Sequence, residues 1–357
     1  MKTVALRLRF RRQVVTNRLD QPTLETHIMR IGVFTSGGDA PGMNACLRAV
    51  IRSAVSKGHE VVGILRGYQG LLEEAFFRQD DGAPLMRLRS VSNILHLGGT
   101  VLGTSRSELF RSAEGVRRAA DVLRKHRIDA LIPIGGDGTL RGAVELARHW
   151  DGRIVACPGT IDNDLLGTDY TIGFATAVNT AVEAVDKLRD TAESHERLFL
   201  VEVMGRHSGC IALWTALAGG AEVVAIPETK TDIPQIVEHL KELKARGKKS
   251  IMVVVAEGDE LGGAVVLNEQ LRRDGCPFDT RAVLLGHLQR GGAPTPDDRI
   301  LATRLGDLAV RALADGAQGV MAGVIRGEPA LTPLEQTYAD HKAVPESFLD
   351  VLRTMAS

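Results

Sequence analysis

Three aspartates lie within eight residues of one another in the stretch 157–169, CPGTIDNDLLGTD: Asp162, Asp164 and Asp169, with Thr160 just ahead of the first. Carboxylates this close repel one another unless water, a metal or a cationic ligand offsets their charge. Asp, Asn, Gly and Thr are also ordinary turn residues, so the stretch alone leaves a plain turn equally open. Two glycine loops bear on the choice: Ser36-Gly37-Gly38-Asp39 and Gly135-Gly136-Asp137-Gly138-Thr139. Paired glycines let a phosphate approach the backbone, and a helix that follows offers its free N–H groups to an anion. In the second loop the single carboxylate of Asp137 could hold a hard Mg²⁺ bridging polyphosphate oxygens. Neither loop fits GxxxxGK[ST] or GxGxxG. A tight structural turn competes for the first, and an Asp helix cap for the second. Further cations follow glycine-rich or strand-like segments: Arg106 with Arg111 beyond it, Arg206 in Met204-Gly205-Arg206, and Arg290 in Gly286-His287-Leu288-Gln289-Arg290-Gly291-Gly292.

The elements that must carry these loops alternate. Apolar runs at 31–34, 61–65, 128–134, 153–156, 198–203, 251–256 and 282–285 read as buried parallel strands bounded by turn residues. Helical spacing returns between them: Leu47, Val50, Ile51 and Val55; a segment at 115–126; Val144, Leu146 and Ala147; and Val178, Val182, Val185 and Leu188 within 176–191. The alternation predicts an α/β protein of two doubly wound, Rossmann-like αβα lobes with one cleft. In such sheets ligands collect at the carboxyl ends of the strands, where the glycine and aspartate loops fall. Lys248 and Lys249 fit either a solvated turn between helix and strand or a second anion site.

The 357 residues suffice for two domains. Lys plus Arg and Asp plus Glu both number 44, which gives no global field favouring nucleic acid or an anionic membrane surface. No run approaches the ~18 apolar residues of a membrane span. Cys46, Cys157, Cys210 and Cys276 form no CxxC pair, so a reducing cytoplasm is the expected location. Residues 1–28 carry six Lys and Arg against Asp20 and Glu25 and have no apolar core of a secretory signal. They read as a disordered extension, with Met29 at the start of the folded protein.

Taken together, TSGGDAPGMN (35–44), GGDGT (135–139), PGTIDND (158–164), GTDYTIGF (167–174), EVMGRHSG (202–209) and GHLQRGG (286–292) resemble the bacterial ATP-dependent 6-phosphofructokinase family, in that family's order. The resemblance covers 29–330. It implies transfer of the ATP γ-phosphoryl group to O1 of fructose 6-phosphate, a committed step of glycolysis. It also implies lobes at 29–173 plus 289–339, binding ATP, and at 174–288 plus 340–357, binding the sugar phosphate. Asp162 would be the base, ionised at its ordinary pKa of about 3.9. Thr160 would stand beside the transferring group and Asp164 near the metal. Gly38, Tyr68, Arg106, Ser107, Gly136, Asp137, Gly138, Thr139 and Gly142 match the nucleotide side, with Asp137 as the Mg²⁺ ligand. Arg106 and Arg206 would stabilise charge on the phosphoryl oxygens. Thr160, Ile161, Asp162, Met204, Gly205, Arg206, Glu257, His287, Leu288, Gln289 and Arg290 match the sugar side. Arg197 and Arg281 match positions that reach the sugar phosphate from a neighbouring subunit, which implies a homotetramer with shared sites.

The pyrophosphate-using branch of the family typically carries Asp at Gly138 and Lys at Gly159. Glycine at 138 leaves room for the α-phosphate, and Gly159 withholds a cation from pyrophosphate, so the resemblance favours ATP. A pyrophosphate-dependent phosphotransferase is the nearest alternative. A non-catalytic nucleotide-binding paralogue is the other, and intact Asp137, Asp162 and Arg206 speak against it. Arg48, Arg52, Arg189, Glu222, Arg246 and Lys248 match a site for the effectors ADP or phosphoenolpyruvate. Leu88 stands where that site expects an arginine, and losing one bidentate phosphate contact would weaken it.

Overall fold

The computed structural model describes residues 28–79 and 81–356. The basic extension, apart from Ile28, lies outside the described residues. The first sheet is built from β1 (Arg30–Ser36), β2 (Glu60–Gly63), β3 (Ala130–Gly135) and β4 (Arg153–Pro158), with helices α1 (Met43–Ser56), α2 (Gly67–Leu72), α3 (Ala113–Lys125) and α4 (Asp137–Ala147) among them. The chain then forms α5 (Phe174–His195), β5 (Arg197–Val203), α6 (Cys210–Gly219), β6 (Val223–Ala225), α7 (Ile233–Ala245), β7 (Ile251–Ala256), α8 (Gly263–Arg273) and β8 (Asp279–Leu284). After α9 (Pro296–Ala314) it returns to the first sheet with β9 (Val320–Ile325) and β10 (Glu328–Pro333), and it ends in α10 (Glu346–Met355). The strand orders are β10-β9-β4-β3-β1-β2 and β6-β7-β5-β8. All pairings are parallel except the β9–β10 hairpin, whose two-residue turn puts both Arg326 (φ 53°) and Gly327 (φ 82°) in the left-handed region.

The strand-like runs form strands because both faces of each sheet are covered. All six residues of β7 (IMVVVA) are buried, as are all six of β3. Each buried Val or Ile side chain contributes about 1.5–3 kcal/mol. Pro133 sits inside β3 although a central strand disfavours proline. The β3–β4 register runs Leu131↔Ile154 and then Ile134↔Cys157, so the ladder is interrupted where proline lacks its N–H.

Several boundaries differ from the sequence reading. β8 begins at Asp279 rather than at 282, because an edge strand keeps polar residues in water on its open side. β2 stops at Gly63, and Ile64 instead bridges Phe76. α5 is longer than 176–191. It starts after Gly173 (φ 104°), whose N–H donates to Asp298 Oδ1 at 2.7 Å while Thr176 N–H donates to Oδ2 at 2.8 Å. A buried carboxylate from α9 thus satisfies the free donors and the positive end of this helix. One apolar cluster runs through Ile161, Ile172, Phe174 and Met204 and joins the helices of both sheets. α10 packs back on α6, with the Phe348 and Trp214 rings 4.8 Å apart. Among the described residues no helix is long and apolar enough to cross a membrane.

Candidate active site

The carboxyl ends of β1, β3 and β4 converge on a cavity of about 570 Å³, and the loop after β5 forms its opposite wall. The walls include Gly38, Tyr68, Arg106, Ser107, Gly136, Asp137, Gly138, Thr139, Thr160, Asp162, Asp164, Arg206 and Arg290. The structure therefore brings the two glycine loops, the acidic stretch and the cations Arg106, Arg206 and Arg290 together from distant parts of the chain.

Close backbone approach explains several of the glycines. A Cβ on Gly136 would lie 3.2 Å from Thr160 Cβ, and one on Gly38 would lie 2.7 Å from the Arg290 guanidinium. A Cβ on Gly138 would meet nothing within 4 Å, so a side chain there would project into open space at the cavity wall. Gly142 acts one layer back: a Cβ would lie 2.8 Å from the Tyr68 ring and 3.0 Å from that of Phe110. Those two rings stack 3.8 Å apart, and the Tyr68 hydroxyl donates to Thr139 O at 2.8 Å. Ser107 Oγ donates to Gln69 Oε1 at 2.7 Å. A Cβ on Gly159 would lie 3.0 Å from the side-chain ends of both Ile134 and Met43, so a larger residue there requires these two to shift by a few tenths of an ångström.

Asp162 is 2 % exposed and ends its loop under two cations. Arg206 Nε stands 3.7 Å from its Oδ2, and the Arg290 guanidinium also acts on it. The expectation of an ordinary carboxylate is overturned, because burial raises the pKa of Asp162 and Arg290 and Arg206 only partly offset it. Its Oδ1 has no hydrogen-bond partner, and neither has Oδ1 of Asp164. The Asp164 carboxyl is pushed up to about 6, first by burial and then by the charge of Asp162.

The sign of this shift has a stability consequence. A carboxyl whose folded pKa exceeds its unfolded value destabilises the fold where it is ionised. For Asp164 that penalty is complete above about pH 6 and fades as pH falls toward 4. Asp164→Asn is therefore expected to raise Tm by a few degrees at pH 7.5 and by much less at pH 4.5. Paired thermal melts would check it, and equal shifts at the two pH values would refute it.

The wall after β5 is held by its neighbours. Arg206 has a left-handed backbone (φ 53°), and its N–H donates to Glu257 Oε1 at 2.9 Å. The Gly205 N–H reaches the same oxygen at 3.3 Å. Met204 N–H donates to Oε1 of the fully buried Gln289 at 2.8 Å. Ile161 is buried beneath the acidic loop, whereas His287 and Leu288 are exposed on a short 3₁₀ turn. Arg290 reaches across the cleft and donates to Asp39 O at 3.0 Å.

Arg197 and Arg281 do not join this cavity. They share Asp279, at 3.1 and 2.6 Å, near the amino ends of β5 and β8. From Arg197 to Met204 the strand travels about 23 Å at 3.3 Å per residue. In the other predicted cluster, the Glu222 carboxylate is 1 % exposed, with Lys248 at 2.5 Å and Arg189 at 3.9 Å. Arg246 pairs with Glu242 at 3.9 Å, while Arg48 is half-buried and Arg52 exposed on α1. Lys249 pairs with Glu196 at 3.4 Å, so this lysine pair faces carboxylates.

Ser105, Phe110 and His207 also line the cavity without having been named as site residues, and so does Arg111, noted in the sequence only as a cation beyond Arg106. His207 lies inside the EVMGRHSG motif. Phe110 gave no local signal, since its role depends on the ring of Tyr68.

Residues 30–313 match the family described as Phosphofructokinase. The chain is 53 % identical over 327 residues to "ATP-dependent 6-phosphofructokinase 1" of Thermus thermophilus, covering 92 % of this chain and 99 % of that one. It is 46 % identical over 326 residues to "ATP-dependent 6-phosphofructokinase 2" of Bacteroides thetaiotaomicron, covering 91 % and 98 %. Among solved structures it resembles phosphofructokinase from Saccharomyces cerevisiae, with a TM-score of 0.78 and 36 % identity over 92 % of this chain. It spans 48 % of that yeast chain. The chain described here belongs to the phosphofructokinase family.

Proposed function

We propose that this protein transfers the γ-phosphoryl group of ATP to the O1 hydroxyl of fructose 6-phosphate, giving fructose 1,6-bisphosphate and ADP. The observation that carries the reading is the buried Asp162 carboxylate between Arg206 and Arg290, facing a glycine-walled cavity at three strand ends. Asp162, with its raised proton affinity, accepts the proton of the attacking hydroxyl more readily than an exposed aspartate does. Arg206 and Arg106 offset charge on the phosphoryl oxygens. The glycine loops admit the polyphosphate, and Tyr68 with Phe110 supports the nucleotide side. Met204, Gly205, Glu257, His287, Leu288, Gln289 and Arg290 hold the sugar phosphate, and Arg197 and Arg281 of a neighbouring copy complete that site in a homotetramer.

ATP-dependent kinases of this kind require a divalent metal, and we assign Mg²⁺. Asp137 lines the cavity, where its Oδ1 accepts from Arg141 Nε at 2.7 Å, and Asp164 presents a buried oxygen with no protein partner. Among the described residues no group of three or more His, Cys, Asp or Glu could hold a metal. This donor set suits a cation that keeps waters and takes its remaining ligands from phosphate, as Mg²⁺ does. Asp137 and Asp164 would hold the ion, which when bound would supply positive charge against the phosphate oxygens. The lobe boundaries 29–173 plus 289–339 and 174–288 plus 340–357 fit the two sheets and the return of α10 to α6. A cytoplasmic location fits the four free cysteines.

The cluster of Glu222, Lys248 and Arg189, with Arg246, Arg48 and Arg52, is proposed as an effector site for ADP or phosphoenolpyruvate. Leu88, exposed on a 3₁₀ turn, lowers its affinity. A steady-state assay with ATP or pyrophosphate as donor, with and without each effector, tests the reading. Turnover is expected with ATP and not with pyrophosphate, and Gly138→Asp is expected to lower kcat/KM for ATP by about 10²-fold. Efficient turnover with pyrophosphate alone would reassign the donor.

A further inference from the structure

The segment 338–345 leaves the six-stranded sheet and runs to α10 behind the acidic loop. It delivers one cation into that loop. The Lys342 ammonium donates to Asn163 Oδ1 at 2.9 Å, Thr168 O at 2.9 Å and Asp169 O at 2.7 Å. These use all three of its donors. None of its partners is a carboxylate oxygen, so it does not form an ordinary surface ion pair. Asn163 is 1 % exposed, stands between Asp162 and Asp164, and has a left-handed backbone (φ 51°). Such a conformation in a residue other than glycine persists only where its surroundings hold it. Here the side chain is clamped from two directions, since Asn163 Oδ1 also accepts from Thr171 N–H at 3.1 Å. Asp162 and Asp164 face the large cavity, whereas Asn163 faces a separate space of about 290 Å³ shared with Lys342, Cys210 and Trp214.

We infer that Lys342 is a positioning residue for the catalytic loop. By tying Asn163, Thr168 and Asp169 to one ammonium, it holds the left-handed turn from which Asp162 and Asp164 project into the cleft. It is absent from the walls of the large cavity, lines a neighbouring space with Asp164 and Arg206, and acts through Asn163. The inference rests on the reading of Asp162 as the base. It also gives the segment after β10 a task that its sequence, YADHKAVP, does not announce.

Lys342→Ala and Lys342→Met, made in the full chain, test it. In Lys342→Ala, kcat is expected to fall by about 10²-fold, the order that a displacement of about 1 Å costs. KM for ATP should change less than about threefold, because the nucleotide walls come from other loops. Ethylammonium should recover at least part of kcat in Lys342→Ala through the adjoining space, and none in Lys342→Met, whose side chain fills it. Amide exchange of 163–169 should quicken in Lys342→Ala by about tenfold or more while the thermal transition stays cooperative. A kcat within twofold of wild type overturns the proposal, as does a loss that follows the unfolded fraction and is not restored by the amine. The wild-type rate in the same assay tests the proposed reaction separately. Were that rate absent, unchanged exchange at 163–169 would still overturn the role of Lys342, and quickened exchange would support it.

Discussion

Asp162→Ser is expected to lower kcat by about 10²–10⁴-fold, the span that a positioned general base contributes. At its upper end this corresponds to about 5.5 kcal/mol of lost transition-state stabilisation. KM for fructose 6-phosphate should stay level or fall. Removing this buried anion leaves Arg206 and Arg290 less opposed, and both then attract the anionic sugar phosphate more strongly. Burial argues for a kinetic effect without collapse of the fold, because the carboxylate has an unpaired Oδ1 and a raised pKa and so does not strongly support the folded state. Steady-state kinetics with saturating ATP checks both parameters. Turnover near the wild-type rate would remove Asp162 from the mechanism.

A second large effect is expected one loop away. A Cβ on Gly258 would lie 1.6 Å from Arg206 O and 2.8 Å from its carbonyl carbon. Both are backbone atoms and cannot yield as a flexible side chain could. Gly258→Ala must therefore displace either the end of β7 or the loop whose Arg206 N–H is fixed to Glu257. Either shift moves the guanidinium away from Asp162. The expected outcome is a fall of about 10²-fold in kcat/KM for fructose 6-phosphate, with a smaller change for ATP. Initial-rate measurements varying each substrate separate the two, and a loss below twofold would mean that the loop is not held by this contact.

The parts of this molecule that were readable in advance depend on short-range chemistry. Gly136, Asp137 and Gly138 announce a phosphate loop because conformational freedom, a carboxylate and a following helix occur within a few residues. The buried parallel strands were legible for the same reason, as continuous apolar runs. What could not be read depends on long-range neighbours. Gly142 exists to admit two rings from other elements, and Arg290 lies against Gly38 across more than 250 residues of chain. The raised pKa of Asp162 was not legible because burial is not a property of its own sequence neighbours. β8, β9 and β10 gave weak signals because β8 and β10 lie at sheet edges and keep one side in water, and the ends of β9 are partly exposed.

The order of strands along the chain has a kinetic consequence. β9 pairs with β4 through Val155↔Val320, so the six-stranded sheet joins partners separated by 165 residues. Every strand of the four-stranded sheet lies between them. During synthesis that inner sheet has all its strands in hand while the outer one still lacks two. Closure of so long a loop is slow relative to local pairing. The inner sheet is therefore set to form first and the outer sheet to close around it, leaving the open side of β4 as the edge most exposed to mispairing until β9 emerges.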